Sequence, residues 1–373
     1  MNNPFRGFRA ILFKEFLVVF RDRIALFFMF FPPLLQIIAF GYALDTDVKN
    51  MPMVVLNEDQ TRESRQLIDA FVNTGTFKVA GEAQNVEELE AAVRRGKAYI
   101  AIHIPPNFTR KLRAGQKATV QAIIDGSSST TALQALNTSV SVAFRRSIGV
   151  LVAETGRRDL PVEVRPQMLY NPSMRAPNFF VPGVIGTALQ IATVFAVAMS
   201  IVRERERGTL ENLLVSPMSR WGLMLGKMMP YLCISITMAT LLFVILRWLF
   251  QVPIAGSLLA LFLSAFLYVF ALASLGLLVS TKARSQNEAL QMTMTVMLPS
   301  IFFSGFIFPR ETMPWIFYAI STVLQATYFI DLMRAIILRG ATFADFGTQL
   351  LILGTMGLVL FTLCALRFKR KVA

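Results

Sequence analysis

The chain has 373 residues, of which 54% are hydrophobic and 16% are charged, and this apolar content exceeds what one soluble core of that length uses. The formal net charge of +14 would suit nucleic acid, but the basic residues do not cluster with aromatic side chains as such binding requires. They flank apolar stretches instead, so we expect a lipid bilayer as a partner and no nucleic acid.

Residues 1–23 predict a cytoplasmic helix that lies in the membrane interface. Apolar residues recur there at helical spacing with basic residues between them: Phe5, Phe8, Leu12, Phe16, Val19 and Phe20, with Arg6, Arg9 and Lys14. Such a pattern is typical of an interfacial amphipathic helix, and a simple basic flank is the alternative. Residues 24–44 carry no charge. Because about 20 apolar residues cross a roughly 30 Å hydrocarbon core, they predict the first transmembrane helix.

Residues 45–175 have the composition of a soluble domain and predict an extracytoplasmic α/β domain inserted between the first and second transmembrane helices. Four apolar runs indicate strands: Met53 to Leu56, Phe77 to Ala80, Ala98 to Ile104 and Thr119 to Ile124. Helical patterns separate or follow them: Arg62 to Val72, Val86 to Arg95 and Thr130 to about Thr155. His103 is the chain's single histidine, and we expect it to be structural because no acidic or cysteine partner is obvious from the sequence.

A second charge-free stretch, residues 176–202, predicts another transmembrane helix and is followed by a polar loop, residues 203–227. Charges alternate in sign from Arg203 to Arg207, which suits a solvated or protein-contacting surface. Leu210, Leu213 and Leu214 then share one face of a short predicted helix. Spacing alone supports two interpretations equally: a helix that docks in a groove of a cytoplasmic partner, and a loop that lies on lipid headgroups.

Residues 228–366 predict the remaining four transmembrane helices. Their charge-free cores are Met228 to Leu246, Val252 to Thr281, Ala289 to Pro309 and Phe346 to Leu366. Met313 to Ile330 is also charge-free, but a further crossing would place the basic tail outside. We therefore interpret residues about 310–340 as an outer re-entrant hairpin, which membranes tolerate where protein covers the backbone. The fold class is an α-helical polytopic membrane protein with six transmembrane helices.

The distribution of basic residues predicts that both termini, including the tail 367–373, face the cytoplasm, because positive residues are retained on that side. They concentrate in four groups: Arg6 to Arg23, Arg203 to Lys227, Lys282 with Arg284, and Arg367 to Lys371. The sequence contains no phosphate-binding loop, nucleophile elbow, H-E-x-x-H pair or Cys-x-x-Cys motif,. We therefore expect no catalytic, cofactor-binding or metal residue, and energy for any transport must come from elsewhere.

Several motifs resemble those of ABC transporter permeases of the ABC-2 type. The most specific is Glu204-x-Glu206-x-Gly208-Thr209-Leu210-Glu211-x-Leu213-Leu214-Val215-Ser216-Pro217, continuing to Leu225-Gly226-Lys227. Weaker pieces agree in order: Lys14-Glu15-Phe16 with Arg21-Asp22-Arg23, Pro32-Pro33-Leu34-Leu35-Gln36, Phe40-Gly41-Tyr42-Ala43, and Ser304 to Pro309 with Met313-Pro314. Asp47-Val48-Lys49 and Ile123-Ile124-Asp125-Gly126 resemble the multidrug-exporter branch, which carries a large extracytoplasmic insert.

The resemblance implies two paired permeases, as a homodimer or with a related permease, above two copies of an ABC ATPase subunit that holds ATP and Mg. It makes nine residues the ATPase-coupling element: Glu204, Glu206, Gly208, Thr209, Leu210, Glu211, Leu213, Leu214 and Pro217. It assigns five residues to the re-entrant outer gate: Pro309, Pro314, Gln325, Asp331 and Arg334. Relatives commonly have proline where this chain has Gln325, so the sequence departs from the family there.

The implied function is the permease subunit of an exporter in the bacterial inner membrane, without its own ATPase site. By alternating access it would move hydrophobic or amphipathic, drug-like compounds outward, and no substrate-lining residue is assigned. Export of a lipid, glycan or ion on the same scaffold is one alternative. A non-transporting envelope sensor or mechanical transmitter is another, and the outer domain is equally able to dock a periplasmic adaptor protein.

Overall fold

The computed structural model describes residues 7–43, 49–127, 129–155, 170–171, 175–209 and 219–367. They fall into two compact units, and each has its own core. The helical unit comprises Met1–Leu44 with Met168–Ala373, and the α/β unit comprises Asp45–Gln167.

The helical unit contains nine α-helices among its described residues. They are α1 (Phe8–Arg21), α2 (Arg23–Ala43), α7 (Ala176–Glu206), α8 (Arg220–Trp248), α9 (Leu258–Lys282), α10 (Gln286–Phe303), α11 (Trp315–Val323), α12 (Gln325–Ile337) and α13 (Phe343–Arg367). A short 3₁₀ turn, Arg310–Thr312, separates α10 from α11.

Among the described residues, four helices are long and apolar enough to cross a membrane: α7, α8, α9 and α13. The number rises to six if each of two bent pairs counts as one span, α1 with α2 and α11 with α12. The predicted stretch 289–309 is helical only to Phe303, and the 18 residues of α10 extend about 27 Å, slightly less than a hydrocarbon core. The chain is thus a polytopic, mostly helical membrane protein.

The core of the helical unit forms around α7 and α9. Tyr268 of α9 is fully buried, and its hydroxyl donates a hydrogen bond of 2.9 Å to the Gly186 carbonyl of α7. The Tyr268 ring stacks on Phe329 of α12 with 4.2 Å between the ring centroids. Stacked aromatic pairs of this kind add about 0.5–1.5 kcal/mol beyond the area they bury. This contact fixes α12 against the two central helices.

Polar side chains of α7 bind three neighbouring helices inside the apolar core. Each bond joins two side chains at about 3 Å: Thr187 accepts from Gln36 of α2, Thr193 donates to Ser235 of α8, and Gln190 donates to Ser300 of α10. Interhelical hydrogen bonds within membranes contribute only about 0.6 kcal/mol each on average. They specify which faces of α7 meet which helix more than they hold the bundle together.

A glycine sets the distance between α7 and α9. A Cβ atom at Gly276 would lie 2.7 Å from the Val194 carbonyl oxygen, so alanine there must push two backbones apart. We expect Gly276→Ala to cost about 1–3 kcal/mol through overpacking and to lower the melting temperature of the purified protein by several degrees. The matched control is Gly347→Ala in α13, where the added methyl meets nothing within 4 Å. An equal effect of the two changes would contradict the packing explanation.

The α/β unit is a four-stranded sheet with helices on both faces. Its described elements are β1 (Met51–Asn57), α3 (Arg62–Val72), β2 (Phe77–Glu82), α4 (Val86–Arg94), β3 (Ile100–Ile104), α5 (Phe108–Arg113), β4 (Gln121–Ile124) and α6 (Ser129–Thr155). The strand order is β2-β1-β3-β4. β1 runs parallel to β2 and β3, and β4 is antiparallel to β3.

Both faces of β1 are buried, which explains its nearly continuous apolar sequence. Met53 and Val55 pack with residues of α3 and α5, whereas Val54 and Leu56 pack with Leu89 of α4. Alternate residues of a strand point to opposite faces of the sheet. The apolar residues on both faces of β1 therefore require a layer of helices on each side of the sheet.

Polar side chains gather where the parallel strands β1 and β3 end. His103 Nε2 lies 2.9 Å from Glu58 Oε2, so the histidine has the acidic partner that the sequence did not reveal. Burial raises the pKa of the Asp59 carboxyl, but hydrogen bonds from Thr109 and Thr61 outweigh that effect and hold the pKa below its ordinary value. Asp59 thereby links the first turns of α3 and α5 as a charged acceptor.

Candidate functional site

The candidate coupling residues begin in the last turn of α7. Glu204 and Glu206 belong to this turn, and Gly208 and Thr209 follow it. The other predicted members lie outside the described residues: Leu210, Glu211, Leu213, Leu214 and Pro217. The structure therefore describes the base of the predicted coupling element, where it joins the helical unit.

Four charged side chains meet at this base, and we call them the ion-pair cluster: Lys14 and Glu15 of α1, Glu204 of α7, and Lys227 of α8. The Lys227 ammonium lies 2.9 Å from Glu15 Oε1 and 2.6 Å from Glu204 Oε2. Lys14 forms an ion pair with Glu204 and lies 3.5 Å from Glu15 Oε1. The cluster joins three helices that are far apart in sequence. We call this end of the helical unit the α1 end.

Three of the four side chains, Glu15, Glu204 and Lys227, are largely buried, so their charges depend on each other. The side chain of Lys227 is 1% exposed and that of Glu15 is 4% exposed. Removing charged groups from water costs several kcal/mol each, and only mutual attraction and hydrogen bonding compensate for that cost. Two ammonium groups and two carboxylates balance formally. The side chain of Lys14 is 43% exposed, so the loss of Lys227 in particular leaves uncompensated charge in a protein interior.

Local sequence explains how α1 comes close enough to α8 to form the cluster. A Cβ atom at Gly226 would lie 2.8 Å from Ile11 Cγ2 and 3.2 Å from the Phe8 carbonyl oxygen, so only glycine permits this approach without displacement. Ile11, Glu15 and Val19 are spaced four residues apart and are the buried residues of α1. This spacing places them on one face of the helix, and Glu15 thereby faces Lys227.

Neighbouring residues of the same α7 turn bind two further segments. Arg203 forms an ion pair of 2.7 Å with Asp22, at the junction of α1 and α2. Arg205 donates to the carbonyl of Ala283, and Glu206 accepts two hydrogen bonds from Gln286, one from its backbone N–H at 2.8 Å. Because charges of alternating sign point in different directions around the helix, the last turn of α7 contacts several elements at once.

The end of α7 is a Schellman motif. Gly208 has a φ of +70°, the left-handed conformation that glycine adopts without steric cost. Its N–H donates to the Arg205 carbonyl at 3.1 Å, and the N–H of Thr209 donates to the Glu204 carbonyl at 3.0 Å. This pairing defines the motif. Gly208 thus ends α7 and redirects the chain into the predicted coupling segment.

The predicted gate residues lie at the end of the helical unit opposite the α1 end, and they do not form a single cluster. Pro309 precedes the 3₁₀ turn, and Pro314 caps α11. Gln325 is the first residue of α12, immediately after a bend of 85° between α11 and α12. Proline is favoured at the first helical position because its missing N–H has no intrahelical partner there. Glutamine therefore takes a position that suits proline, and the chain bends directly before it.

Two charged residues of α12 hold the chain around this bend. Arg334 donates to three backbone carbonyls, those of Phe179, Gly305 and Phe306, at distances of 2.8–3.3 Å. Its guanidinium lies 3.8 Å from the centroid of the Phe179 ring. Asp331 forms an ion pair of 3.3 Å with Arg310. Arg334 therefore connects α12 to the first turn of α7 and to the turn after α10.

A mostly apolar cavity of about 470 Å³ opens among α1, α2, α7, α8 and α10. Its lining includes Met29, Phe195 and Met294, together with the Asp22–Arg203 ion pair and Tyr231. Its volume lies within the range that holds drug-sized ligands, which bind through apolar walls and a few polar groups.

Comparisons with known proteins agree on one family. The family model described as ABC-2 family transporter protein matches residues 23–366. The chain is 29% identical over 333 residues to the probable multidrug ABC transporter permease YbhR of Escherichia coli K12, covering 89% of this chain and 90% of YbhR. It is 28% identical over 348 residues to the probable multidrug ABC transporter permease YbhS of the same organism, covering 91% of each chain. It is 29% identical over 325 residues to the inner membrane transport permease YhhJ, also of E. coli K12, covering 86% of each.

Proposed function

The chain belongs to the ABC-2 family of transporter proteins, which confirms the resemblance of its motifs, and we propose that it is the permease subunit of an ABC exporter. ABC-2 permeases work with an ABC ATPase, and the relatives YbhR and YbhS are named probable multidrug permeases. In this proposal the chain has no ATPase site of its own. Two copies of a separate ATPase subunit bind ATP and Mg.

The proposed topology has six transmembrane helices and places both termini in the cytoplasm of a bacterial inner membrane. The spans correspond to α2, α7, α8, α9, α10 with its following turn, and α13. α1 lies in the inner interface, consistent with the exposed side chains of Phe13, Leu17 and Phe20. The α11–α12 pair forms the outer re-entrant hairpin, and the α/β unit is extracytoplasmic. This orientation places the concentrated basic residues on the cytoplasmic side, as the positive-inside rule requires.

One observation carries the proposed coupling mechanism. The last turn of α7, from which the predicted coupling segment begins, is bonded to α1, α8 and the α9–α10 loop. A force on residues 204–217 from a docked ATPase would therefore reach several helices together. Packed interfaces switch between discrete arrangements rather than deforming continuously, so this connection supports alternating access.

The proposed cargo is a hydrophobic or amphipathic compound. The support is the 470 Å³ cavity, whose lining combines methionine and phenylalanine with one ion pair. Methionine is unbranched and polarizable and adapts to varied ligands. Helices α1, α7 and α8 carry the ion-pair cluster and also line this cavity. Movement of these helices at the coupling site would therefore change the shape of the cavity.

At the other end, the α11–α12 hairpin is proposed to close the external gate. Arg334 holds it against α7 and the turn after α10, and the ion pair of Asp331 with Arg310 joins α12 to the preceding 3₁₀ turn. A second permease, identical or related, completes the transport pathway, and a periplasmic adaptor protein is a further proposed partner of the extracytoplasmic domain.

The direct test of the coupling proposal is a change of charge in the loop. We would co-express the chain with a candidate ABC ATPase subunit and compare complex formation and ATP turnover for the natural chain and a Glu206→Lys, Glu211→Lys variant. We expect the variant to dissociate the ATPase or to return its turnover to the level of the ATPase alone. The reason is that Glu206 loses its bonds to Gln286 and the docking surface changes sign.

A matched control is Glu82→Lys with Glu90→Lys, which makes the same charge change at exposed positions of the α/β unit and should leave coupling intact. If no ABC ATPase associates with the natural chain in any lipid, the exporter proposal fails and the sensor alternative is favoured.

A further inference from the structure

The α/β unit contains a cavity of about 480 Å³ that the proposed transport function does not use. It opens between α3, α5, the loop of residues 115–120 and one face of α6. Its floor reaches the core of the unit, where Ile102 and Phe108 are nearly fully buried. Protein interiors are normally packed without voids of this size. An open cleft of several hundred Å³ with apolar walls is typical of a ligand site.

The walls of this cleft are mostly apolar, and the charged residues that line it are basic. Leu67, Phe71 and Leu112 line the apolar part, and Arg146 and Lys117 are also lining residues. No aspartate or glutamate occurs among the described residues that line it. A ligand that fills the cleft therefore meets hydrocarbon on most sides and positive charge near α6 and the loop.

Arg146 has an unused donor in this cleft. Its Nη2 donates to Gln66 Oε1 at 2.7 Å, whereas its Nε is buried and has no hydrogen-bond partner within the described part of the chain. A buried donor of a charged group without an acceptor is costly. The neighbouring Arg145, one position earlier on the same helix, is exposed instead. Arg146 is thus the one of the pair that lines the cleft, and its Nε has no acceptor within the described part of the chain.

We propose that this cleft binds an amphipathic anion, with its carboxylate on the Arg146 guanidinium and its hydrocarbon body between α3, α5 and α6. Guanidinium and carboxylate form charge-assisted, often bidentate hydrogen bonds, so an anionic head group suits the Arg146 side chain better than a neutral one. The hydrocarbon body would contact Leu67, Phe71 and Leu112, which line the apolar part of the cleft. The site lies wholly within the α/β unit, so the inference does not rest on the proposed export function.

The test uses the full-length chain in lipid nanodiscs and a decanoate that carries a photoreactive diazirine near its methyl end. After irradiation, mass spectrometry locates the adducts. We expect saturable labelling of peptides from α3, α5 and α6. Arg146→Gln should weaken it by about tenfold or more, since a hydrogen bond to a charged group is lost. Arg145→Gln is the matched control, and labelling should be unchanged because that side chain is exposed.

A competition experiment tests the charge of the ligand without any mutation. Unlabelled decanoate should displace the probe from the cleft, whereas decanol at the same concentration should not. The proposal is overturned if decanol competes equally, if Arg146→Gln labels like the natural chain, or if the adducts map only to the helical unit or its lipid-facing helices.

Discussion

Replacing Lys227 by methionine is expected to destabilise the helical unit more than any other single change considered. Lys227 holds Glu15 and Glu204 together in a buried cluster, and its removal leaves two carboxylates with only the Lys14 ammonium to balance them. Breaking a buried ion pair from one side typically costs about 3–5 kcal/mol. We expect a strong loss of monodisperse protein, or a melting temperature lowered by roughly 5–15 °C, measured on purified protein in detergent.

Two variants test whether charge is the cause. Lys282→Met removes an exposed lysine at the end of α9 and should have little effect. Adding Glu15→Leu to Lys227→Met restores the balance between Lys14 and Glu204, so it should recover at least about half of the lost stability. A double variant no better than Lys227→Met alone would show that packing, not unpaired charge, determines the effect.

The second large effect is expected for Arg334→Ala at the hairpin end. This change removes the donors to the Phe179, Gly305 and Phe306 carbonyls and the contact with the Phe179 ring. Carbonyls left without a donor, together with a lost cation–π contact, should cost about 2–4 kcal/mol. Hydrogen–deuterium exchange should accelerate in the turn after α10 and in α11–α12, while exchange in α8 stays unchanged.

Arginine is required here for its geometry as well as for its charge. One planar guanidinium serves three carbonyls, which a lysine ammonium does not reproduce, so Arg334→Lys should recover only a small part of the protection. Arg339→Ala, at an exposed position two residues after α12, is the matched control. Unchanged exchange in the turn after α10 of Arg334→Ala would contradict the assigned role of this arginine.

Much of the secondary structure follows from periodicity in the sequence. The predicted strands and helices of the α/β unit agree with β1–β4, α3, α4 and α6 to within a few residues. Short α5 was missed, because its six residues, Phe108–Arg113, span less than two helical turns. The order of the strands was also beyond prediction, since it depends on contacts between segments distant in sequence.

The ion-pair cluster was missed for a related reason. In the sequence, Lys14 and Lys227 each fit the pattern of a basic flank of a transmembrane helix. A usable signal was Glu15, an acidic residue at four-residue spacing from two apolar residues of α1, Ile11 and Val19. That spacing predicts a carboxylate on the buried face, which requires a cationic partner. The partner itself could not be identified without the approach of α8 through Gly226.

The α11–α12 hairpin could be predicted only in part from the sequence. Charge-free length predicts a re-entrant hairpin over residues about 310–340. Pro314 stands at the start of α11, whereas the bend lies at Leu324, between α11 and α12. Arg334 was assigned to the gate only by resemblance. Its actual partners are backbone carbonyls. Every residue has a backbone carbonyl, so no pattern of residue types predicts which carbonyls Arg334 binds.

The central claim is that this chain moves an amphipathic compound with energy from a separate ATPase. The most direct measurement is dye accumulation in proteoliposomes that contain the chain and its ATPase, with the ATPase on the outside and a fluorescent amphipathic dye in the bath. We predict uptake that requires ATP with Mg and that disappears in the Glu206→Lys, Glu211→Lys variant. ATP turnover by the bound ATPase without movement of dye or lipid would contradict the claim and would indicate a sensor or mechanical transmitter.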